Sequence, residues 1–537
     1  MKIIPLFIAV TLVSSLPAQQ IELVSVSPSG VQANAKSERP FVSADGSIVV
    51  FQSSASNLVA GDLNFVADIF CFNRATLALD LVTASTTGGL ANGPSERPIC
   101  SADGRYIVFA SDASNLVVGD TNLARDVFLT DTLLGTTTLI SKTTAGIQGN
   151  GFSTRPDMSA DGRYIVFRSG ATNLDGLDLN GIVDDVFLHD TVTGVTEMVS
   201  RDSLGVQGNA ASDRPCISDD GNIISFWSDS SNLVVGDLNF VRDIFVIDRL
   251  AGTTSLASVS SAGVQGNAIS SRPAVSGDGR FVAYRSTASN LVAGDVNLVG
   301  DVFMHEIATG ATTLISKSTA GVQGDALSSI SQMNYDASIV VYRSDATTLD
   351  LSDINLTEDV FRYEVATGTT TLISRTTNGG LGNGKSSRPT ISADGSIVAF
   401  QSHADNMVAS DTNLVLDAFF WDESAVPPPS GDPIDLVGPS SALPGTSLNY
   451  NWIGATPNSN FYFLYSFSKN GFVYNGHQFE LSAPTVISQG SNSALGAGSW
   501  TSPLLPLSMA GRTIYFEVAA ISAGVIEDSN AVTLNVL

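Results

Sequence analysis

The chain has 537 residues, of which 43% are hydrophobic and 15% are charged, so it can build a large core and is not a disordered polymer. Asp and Glu number 52 against 26 Lys and Arg, which gives a formal net charge of −26. A protein that neutralises phosphates needs a basic face, so this balance argues against nucleic acid and anionic membrane surfaces as partners. It leaves cations, neutral glycans and proteins as candidate partners.

Residues 1–18 have the layout of a secretory signal peptide. One Lys precedes an apolar stretch from Ile3 to Val13, and the small residue Ala18 marks the expected cleavage position. No later apolar run approaches the length of about 20 residues that spans a bilayer. We therefore expect an exported protein without a membrane span, located in the periplasm, on the cell surface or outside the cell.

A repeat of about 58 residues fills most of the remaining chain. Its most regular part is the pattern Asp-x-Asn-x-x-x-Asp, whose first Asp recurs seven times at intervals of 58, 58, 59, 58, 58 and 58 residues. An Arg-Pro pair, a turn close to SADG and an aromatic residue recur in the same register. Self-similarity at a fixed period indicates a repeat architecture, so the seven units are interpreted together.

Each unit is predicted to contain four short β-strands. In the second unit, RPICS precedes the turn ADG, and the β-branched runs YIVFAS, DVFLTD and TTTLISK follow, separated by turn residues. No long segment has the 3.6-residue period of a helix, so helices should be few. Four antiparallel strands at this period predict an all-β, seven-bladed β-propeller over residues 19–424.

The two ends of the array predict that the ring is closed. The sequence LVSV at residues 23–26 matches the fourth strand LISK at residues 139–142, whereas the last unit stops after its third strand, DAFFWDE. The N-terminal strand should therefore complete the seventh blade. Closure of this kind also removes exposed sheet edges.

The recurring combination of SADGRYIVFAS, DVFLTD and a following Gly resembles the blade repeat of TolB-type, WD-like bacterial β-propellers. The resemblance covers residues 21–424. TolB has a separate α/β domain ahead of its propeller, and we expect this chain to lack that domain. The resemblance therefore implies the fold, and TolB's role in envelope assembly is not carried over, because a shared fold does not transfer function.

The repeat register ends at a Pro-rich spacer, AVPPPSGDP, which we assign to a linker over residues 425–432. Residues 433–537 alternate strands such as TIYFEVAAI and NAVTLNVL with Gly, Asn and Ser turns, which predicts an immunoglobulin-like β-sandwich without cysteine pairing. The aromatic run NFYFLYSFSKNGFVYNGHQFE either stacks on sugars or forms core strands, and core strands explain it more simply.

The Asp-x-Asn-x-x-x-Asp loops are the strongest candidate sites, because Asp and Asn oxygens are the ligands that calcium prefers. Three side-chain ligands fall short of the six to eight oxygens that calcium takes, and the loops lack the Gly and Glu of an EF-hand. The alternative is that Asp and Asn close turns with their own backbone, or that the last Asp pairs with an Arg. The candidate metal ligands are Asp62, Asn64 and Asp68; Asp120, Asn122 and Asp126; Asp178, Asn180 and Asp185; Asp237, Asn239 and Asp243; Asp295, Asn297 and Asp301; Asp353, Asn355 and Asp359; and Asp411, Asn413 and Asp417.

A ring of arginines is the second candidate, because each precedes an innermost strand near the predicted channel. Arg has a planar donor fork that suits carboxylates and phosphates. In the sixth unit Ile330 replaces the Arg and Thr348 replaces an Asn found in the other units, such as Asn57, which predicts that the Arg and the Asn brace one another inside each blade. An anion-binding ring is the alternative. The six arginines are Arg39, Arg97, Arg155, Arg214, Arg272 and Arg388.

No catalytic constellation is recognisable in the sequence. Serines end every second strand, but His occurs only four times in the chain, so a nucleophile would lack a base beside it. No nucleophile elbow or phosphate loop is present. We predict a non-catalytic, exported binding or structural protein that presents a polar loop face to a protein or glycan. The alternative is a glycan-acting hydrolase or lyase with its site at the channel mouth.

Overall fold

A computed structural model describes residues 20–85 and 88–423, together with the strand residues between 435 and 536. The predicted signal peptide and Pro-rich linker lie outside the described residues. The described chain consists of β-strands joined by turns and contains no helix. Accordingly, no described segment is a helix of the length and hydropathy needed to cross a membrane.

Seven four-stranded sheets form the blades of a propeller, as the sequence predicts. Six blades follow chain order. Blade 1 contains β2 (Ser37–Val42), β3 (Ile48–Ser53), β4 (Asp68–Asn73) and β5 (Ala78–Leu81); blade 2 contains β6 (Ser95–Cys100), β7 (Tyr106–Ser111), β8 (Asp126–Asp131) and β9 (Thr136–Leu139); blade 3 contains β10 (Ser153–Met158), β11 (Tyr164–Ser169), β12 (Asp185–Asp190) and β13 (Thr196–Met198). Blade 4 contains β14 (Ser212–Ile217), β15 (Ile223–Ser228), β16 (Asp243–Asp248) and β17 (Thr253–Leu256); blade 5 contains β18 (Ser270–Val275), β19 (Phe281–Ser286), β20 (Asp301–Glu306) and β21 (Thr312–Leu314); blade 6 contains β22 (Ser328–Met333), β23 (Ile339–Ser344), β24 (Asp359–Glu364) and β25 (Thr369–Leu372).

The seventh blade closes the ring with a strand from the N-terminal end of the described chain. It contains β26 (Ser386–Ile391), β27 (Ile397–Ser402), β28 (Asp417–Asp422) and, paired with β28, β1 (Gln20–Leu23). The amide of Val24 donates to the carbonyl of Ala418 at 2.8 Å, and Val24 is fully buried. The predicted closure is therefore confirmed, and it links segments about 390 residues apart in sequence.

The core of each blade is built around one recurring aromatic pair. Phe51 of the second strand faces Phe70 of the third strand, with ring centroids 5.7 Å apart, and the other six blades repeat the pair at 5.9 to 6.0 Å. These rings lie opposite one another in the strand register, where cross-strand aromatic pairs stabilise a sheet. The β-branched residues on either side of them fill the space between blades.

The first strand of six blades carries an irregularity at the Arg-Pro pair, and that of blade 6 carries one between Ser329 and Ser331. The register of β2 and β3 shifts between Glu38 and Phe41, so Arg39 and Pro40 fall in a bulge. Proline suits this position because it has no amide hydrogen to offer the ladder. The bulge directs the chain so that the arginine belongs to the wall of the central channel.

The chain divides into two compact units, and Ala425–Leu537 belongs to the second. Its described strands are β29 (Asp435–Val437), β30 (Ser441–Ala442), β31 (Asn449–Ile453), β32 (Asn460–Ser466), β33 (Phe472–Tyr474), β34 (His477–Phe479), β35 (Thr485–Ser491), β36 (Gly498–Thr501), β37 (Thr513–Ser522), β38 (Val525–Asp528) and β39 (Val532–Val536). Among them, β29, β31 and β36 form one sheet, and β30, β39, β37, β32 and β35 form another, with β38 also paired to β37. The immunoglobulin-like sandwich stays a prediction.

Candidate functional site

Two sets of loops meet on one face of the propeller, which we call the loop face. They are the loops between second and third strands and the loops that lead from a fourth strand to the next blade. In the first blade the amide of Asn34 donates to Asn57 Oδ1 at 2.9 Å, and Asn57 Nδ2 donates to the carbonyl of Gln32 at 2.8 Å. These bonds hold the two kinds of loop against each other.

The predicted metal ligands form a network that we call the clasp, seen most completely in blade 2. Gln148 Nε2 donates to Asp120 Oδ1 at 2.7 Å and to Asp126 Oδ2 at 2.9 Å. Asn122 Nδ2 donates to the same Asp126 oxygen at 2.9 Å and to the carbonyl of Gly149 at 2.8 Å. The clasp therefore joins the acidic loop to the loop that leads into blade 3.

Backbone groups fix the orientation of both amides in this clasp. Asn122 Oδ1 accepts the amide of Ala124 at 2.8 Å, and Gln148 Oε1 accepts the amide of Thr121 at 3.0 Å. The two side chains consequently turn their N–H groups, and not their oxygens, toward the carboxylates. Within the described residues, no group of three or more His, Cys, Asp or Glu side chains is placed to hold a metal. Calcium binding stays a prediction.

The clasp varies among the blades in one informative way. The Gln recurs as Gln32, Gln148, Gln207, Gln265 and Gln323, and each donates to the first Asp of its blade's triplet. In blades 1 and 6 a leucine stands in its place, Leu90 and Leu381. There Asp62 Oδ1 and Asp353 Oδ1 are buried without a hydrogen-bond partner, and the two residues are 3% and 4% exposed.

The last Asp of each triplet is fully buried at the start of the third strand. In blade 2, Asp126 Oδ1 accepts the hydroxyl of Ser141, and Thr83 and Ser25 do the same for Asp68 and Asp417. Burial raises the pKa of these three carboxyls to about 6 despite the hydrogen bonds. Loss of water around a buried carboxylate favours its protonated form, and the hydrogen bonds from neutral donors offset only part of this effect.

Each clasp holds an apolar side chain out into solvent, three residues after the first Asp or, in blade 3, four. Six of these residues are Phe or Leu with φ between 55° and 58°, the left-handed region that costs a non-glycine residue roughly 1–2 kcal/mol. In blade 3 Gly181 takes the left-handed conformation, with φ 76°, and Ile182 follows it. The seven side chains are 75% to 90% exposed. We call them the apolar crown: Phe65, Leu123, Ile182, Phe240, Leu298, Leu356 and Leu414.

The six predicted arginines come together in the central channel. They share a left-handed φ of 54° to 61° and line one cavity of ≈ 310 Å³, whose wall includes the first strand of every blade. Burial, together with the like charges of Arg97 and Arg388, lowers the pKa of Arg39 to about 9. Burial and its neighbours Arg155 and Arg272 lower the pKa of Arg214 to about 8. The ring thus holds cations close enough to repel one another.

Acidic residues neutralise only part of this ring. Glu96 pairs with Arg97 at 3.2 Å, and Asp213 pairs with Arg155 at 3.1 Å. Within the described residues, Arg39, Arg214, Arg272 and Arg388 form no ion pair, and Arg39 Nε and Arg272 Nη1 are buried without a hydrogen-bond partner. The uncompensated charge therefore lies on four of the six arginines, among them Arg272 and Arg388 on either side of blade 6.

Blade 6 adds unpaired hydroxyls at the same place. Ile330 stands where the other blades have Arg, and the hydroxyls of Ser329 and Ser331 beside it are buried without a hydrogen-bond partner. Ser331 lines the channel. Buried polar atoms without a partner are rare in folded proteins, so these two require an explanation.

The prediction that the recurring Arg and Asn brace one another is wrong. The Asn binds the loop face, as Asn57 does through Gln32 and Asn34, whereas Arg39 lines the channel. In blade 6 the hydroxyl of Thr348 donates to the carbonyl of Gln323 at 3.1 Å, so Thr replaces the Asn in its own role. The joint loss of Arg and Asn in that blade is therefore not a mechanical coupling.

Sequence reasoning missed an acid in the channel wall, Asp157. It occupies the position of Phe41 and Ile99 in the preceding blades, and burial raises its pKa to about 7. Its two oxygens accept the amides of Met158 and Ile217, both at 3.0 Å. Asp157 therefore braces blade 3 against blade 4. The signal available in the sequence was the polar residue in RPDM, where the other units have a neutral one.

The serines and histidines singled out in the sequence have structural partners. Ser53 at the end of the second strand accepts the hydroxyl of Ser37 at 2.9 Å, and this pair recurs in the other blades. His189 Nδ1 lies 2.8 Å from the hydroxyl of Thr196, and burial lowers its pKa to about 4. His305 pairs with Thr312 in the same way.

No family model and no curated protein matches this chain. Several solved structures are similar to this chain. A structure described provisionally as TolB from Agrobacterium tumefaciens is 16% identical and covers 52% of this chain and 80% of that chain, with a TM-score of 0.33. The WD40 repeats of RRP9 are 8% identical over 76% of this chain and 98% of that chain, with a TM-score of 0.39. An ulvan lyase, a polysaccharide lyase, is 8% identical over 73% of this chain and 96% of that chain, with a TM-score of 0.38. Likenesses of this size leave function to be argued from the site itself.

Proposed function

We propose that the protein is an exported, non-catalytic binding propeller that receives an anionic group of a protein or glycan ligand in its central channel. The observation that carries this proposal is the gathering of six arginines in one cavity of ≈ 310 Å³ with too few acids to neutralise them. A guanidinium that is withdrawn from water and repelled by its neighbours raises the free energy of the empty channel. A bound anion would lower it.

The anion site is proposed between Arg272 and Arg388, facing blade 6. Arg272 has an unpaired Nη1 there, and the repelling charges of Arg343 and Arg388 help to lower its pKa to about 10. The unpaired hydroxyl of Ser331 supplies a neutral donor to the same wall. A carboxylate or a sulfate can present two oxygens to the donor fork of Arg, and paired donors give both affinity and orientation.

The proposal assigns binding and not catalysis to this channel because of the state of Asp157. Both oxygens of Asp157 accept backbone amides, so this carboxylate has a structural role in bracing blade 3 against blade 4. The glycan hydrolase or lyase alternative would use the remaining lone pairs of Asp157 to reach a substrate proton, with Asp219 of the same cavity wall as the second acid.

The test compares the double variant Arg272→Gln, Arg388→Gln with the control Arg105→Gln. Arg105 forms an ion pair with Asp131 at 2.6 Å and is not part of the channel wall. The probes are inorganic sulfate and trigalacturonate. Their binding is measured by calorimetry and by the unfolding midpoint, since a ligand that binds only the folded state raises the midpoint.

We expect the wild type and Arg105→Gln to bind a probe with equal affinity, and the double variant to bind it at least tenfold more weakly, which is about 1.4 kcal/mol. Equal binding by all three proteins, or no binding of either probe by the wild type, would reject the anion site. Turnover of trigalacturonate that depends on Asp157 would favour the enzyme alternative.

A further inference from the structure

The side chains of the apolar crown neither line the channel nor take part in the clasp hydrogen bonds, and they point to a second function. We propose that the crown docks the propeller on a zwitterionic lipid surface, with its seven side chains inserted among the headgroups. This proposal does not depend on anion binding in the channel. Its support comes from the backbone, the shape and the charge of the loop face.

The backbone shows that these positions are not chosen for stability. Glycine adopts a left-handed conformation without penalty, and it is the residue expected in such a turn. Phe65, Leu123 and four equivalent residues adopt it instead, at φ 55° to 58°, although their side chains touch little of the protein. In blade 3 a glycine does take the turn, and the chain then adds Ile182, so that an apolar side chain is still displayed. Strain that persists at exposed positions indicates a functional requirement for the side chain.

The shape of the crown fits a flat surface. Equivalent positions of a closed, seven-fold repeat lie at one height around the ring, so the seven tips share a plane. The residue directly after the first Asp adds a second apolar side chain in five blades: Leu63, Leu179, Leu238, Val296 and Ile354, which are 67% to 86% exposed. A single peptide ligand could touch only one side of such a ring.

The exposure of the crown favours a soft surface over a rigid one. Each side chain is 75% to 90% exposed, so it stands apart from its neighbours and presents nearly its whole surface. A rigid polymer or a flat protein could contact only the tips. The boundary between headgroups and acyl chains can enclose each side chain completely, which buries the most apolar area.

The charge of the loop face selects the kind of lipid. Two arginines of the acidic loops, Arg125 and Arg242, are held by Asp112 and Asp229 at 2.7 and 2.9 Å, whereas the exposed Lys385, in the loop into blade 7, forms no ion pair within the described residues. The loop acids are largely withdrawn beneath the crown by the clasp, as the buried Asp126 shows. A face with few free cations, on a chain of net charge −26, would be repelled by anionic lipid. Uncharged, zwitterionic headgroups are the remaining lipid surface.

The test uses flotation of the full chain with phosphatidylcholine vesicles. The crown variant is Phe65→Gly, Leu123→Gly, Phe240→Gly, Leu298→Gly, in which glycine matches the existing backbone and the fold is preserved. The control is Leu133→Ser, Leu134→Ser, Leu250→Ser, which removes apolar residues of 66% to 88% exposure from turns between third and fourth strands, on the opposite face. In a third variant, Phe240→Trp, quenching by brominated lipid reports insertion.

We expect the wild type and the control to float equally, the crown variant to partition at least tenfold more weakly, and the tryptophan to be quenched. The channel variant Arg272→Gln, Arg388→Gln should float like the wild type. The proposal fails if the wild type does not bind phosphatidylcholine, or if the crown variant binds as well as the control. It also fails if the wild type does not bind vesicles and the crown variant instead loses self-association in solution or binding to an insoluble polysaccharide.

Discussion

Two rings of strained residues distinguish this propeller at the scale of single side chains. The channel arginines and the crown residues both adopt a left-handed backbone, in which L-residues are disfavoured by contact between Cβ and the following carbonyl oxygen. One ring displays charge to the inside and the other displays apolar surface to the outside. In each case the repeat keeps a side chain that the backbone geometry opposes, and this is why both rings are interpreted as functional.

The strain at the crown predicts that Leu123→Gly stabilises the protein. Relief of the left-handed penalty gains roughly 1–2 kcal/mol, and the greater freedom of glycine in the unfolded chain takes back about 0.4–1 kcal/mol. The net gain of roughly 0.5–1 kcal/mol should appear in urea unfolding as a higher midpoint with an unchanged slope.

Val118 in the same loop is the matched control. It is 91% exposed, as Leu123 is 90% exposed, but it is not in the left-handed region. Val118→Gly should therefore destabilise the protein, because only the unfolded-state entropy changes. A shift of the same sign in both variants would show that strain is not what separates them.

At the scale of elements, the clasp makes each acidic loop part of a blade. Gln148 reaches across 28 residues to Asp120, and Asn122 reaches across 27 residues to the carbonyl of Gly149. These hydrogen bonds fix the acidic loop to the connection into the next blade. The clasp positions the crown, since Asn122 Oδ1 holds the turn that contains Leu123.

The clasp predicts opposite effects for two exchanges at equivalent positions. Gln148→Leu removes the side-chain donor of Asp120 and one of the three donors of Asp126, which keeps Asn122 and Ser141, and should cost about 1–3 kcal/mol. Leu90→Gln places a donor beside the unpaired oxygen of Asp62 and should gain about 0.5–1.5 kcal/mol. Both are measured by urea unfolding. Destabilisation by Leu90→Gln equal to that of Gln148→Leu would mean that leucine packing, and not the unpaired acid, dominates this position.

Calcium binding can be tested with the same substitutions. In blades 1 and 6 leucine replaces the clasp Gln and Oδ1 of the first Asp is buried without a partner, whereas in blade 4 Asp237 has an unpaired Oδ2 although Gln265 binds its Oδ1. If calcium occupies these loops, the unfolding midpoint rises in millimolar calcium and falls with a chelator. The double variant Leu90→Gln, Leu381→Gln should abolish that response. A midpoint that does not change with calcium in the wild type would reject the metal prediction.

At the scale of the whole molecule, the recurrence of one buried acid should set the pH dependence of stability. Burial raises the pKa of four carboxyls at this position to about 6, namely Asp68, Asp126, Asp243 and Asp417, and it raises the pKa of Asp353, the first acid of the blade 6 triplet, to about 6 as well. Their unfolded pKa is about 4. Between about pH 4 and 6 the folded state therefore binds more protons than the unfolded chain, so stability rises as the pH falls through this window.

Other titratable groups reduce this rise in stability and set the pH below which stability falls again. The buried His189 has a pKa of about 4 and opposes the rise, as does His305. Turn carboxyls such as Asp45 and Asp394 have lowered pKa values, so their contribution is lost only below about pH 4. We expect the thermal midpoint to increase from pH 7 to a maximum near pH 5 and to fall below pH 4. A midpoint that decreases steadily from pH 7 to pH 5 would contradict this balance.

Much of the architecture could be predicted because it depends on sequence features that are local and that recur at a fixed period. The spacing of the first Asp gave the number of blades, and the unmatched strand at each end of the array predicted the pairing that Val24 and Ala418 form. The structure places the candidate metal ligands on the loop face and the candidate arginines in the channel, and their binding roles stay predictions. Their hydrogen-bond partners could not be predicted, because Gln148 and Asp120 are far apart in sequence and no local pattern joins them.

The sequence by itself therefore determined the strands, the repeat count, the closed ring and the acidic balance, since these follow from composition and from a period that every unit repeats. Only the tertiary structure decided which way side chains face. It placed Arg39 in the channel and Asn57 on the loop face, turned the clasp amides toward the carboxylates, and left Phe65 exposed on a strained backbone. Hydrogen-bond partners and backbone angles depend on how neighbouring loops meet, which a linear pattern does not specify.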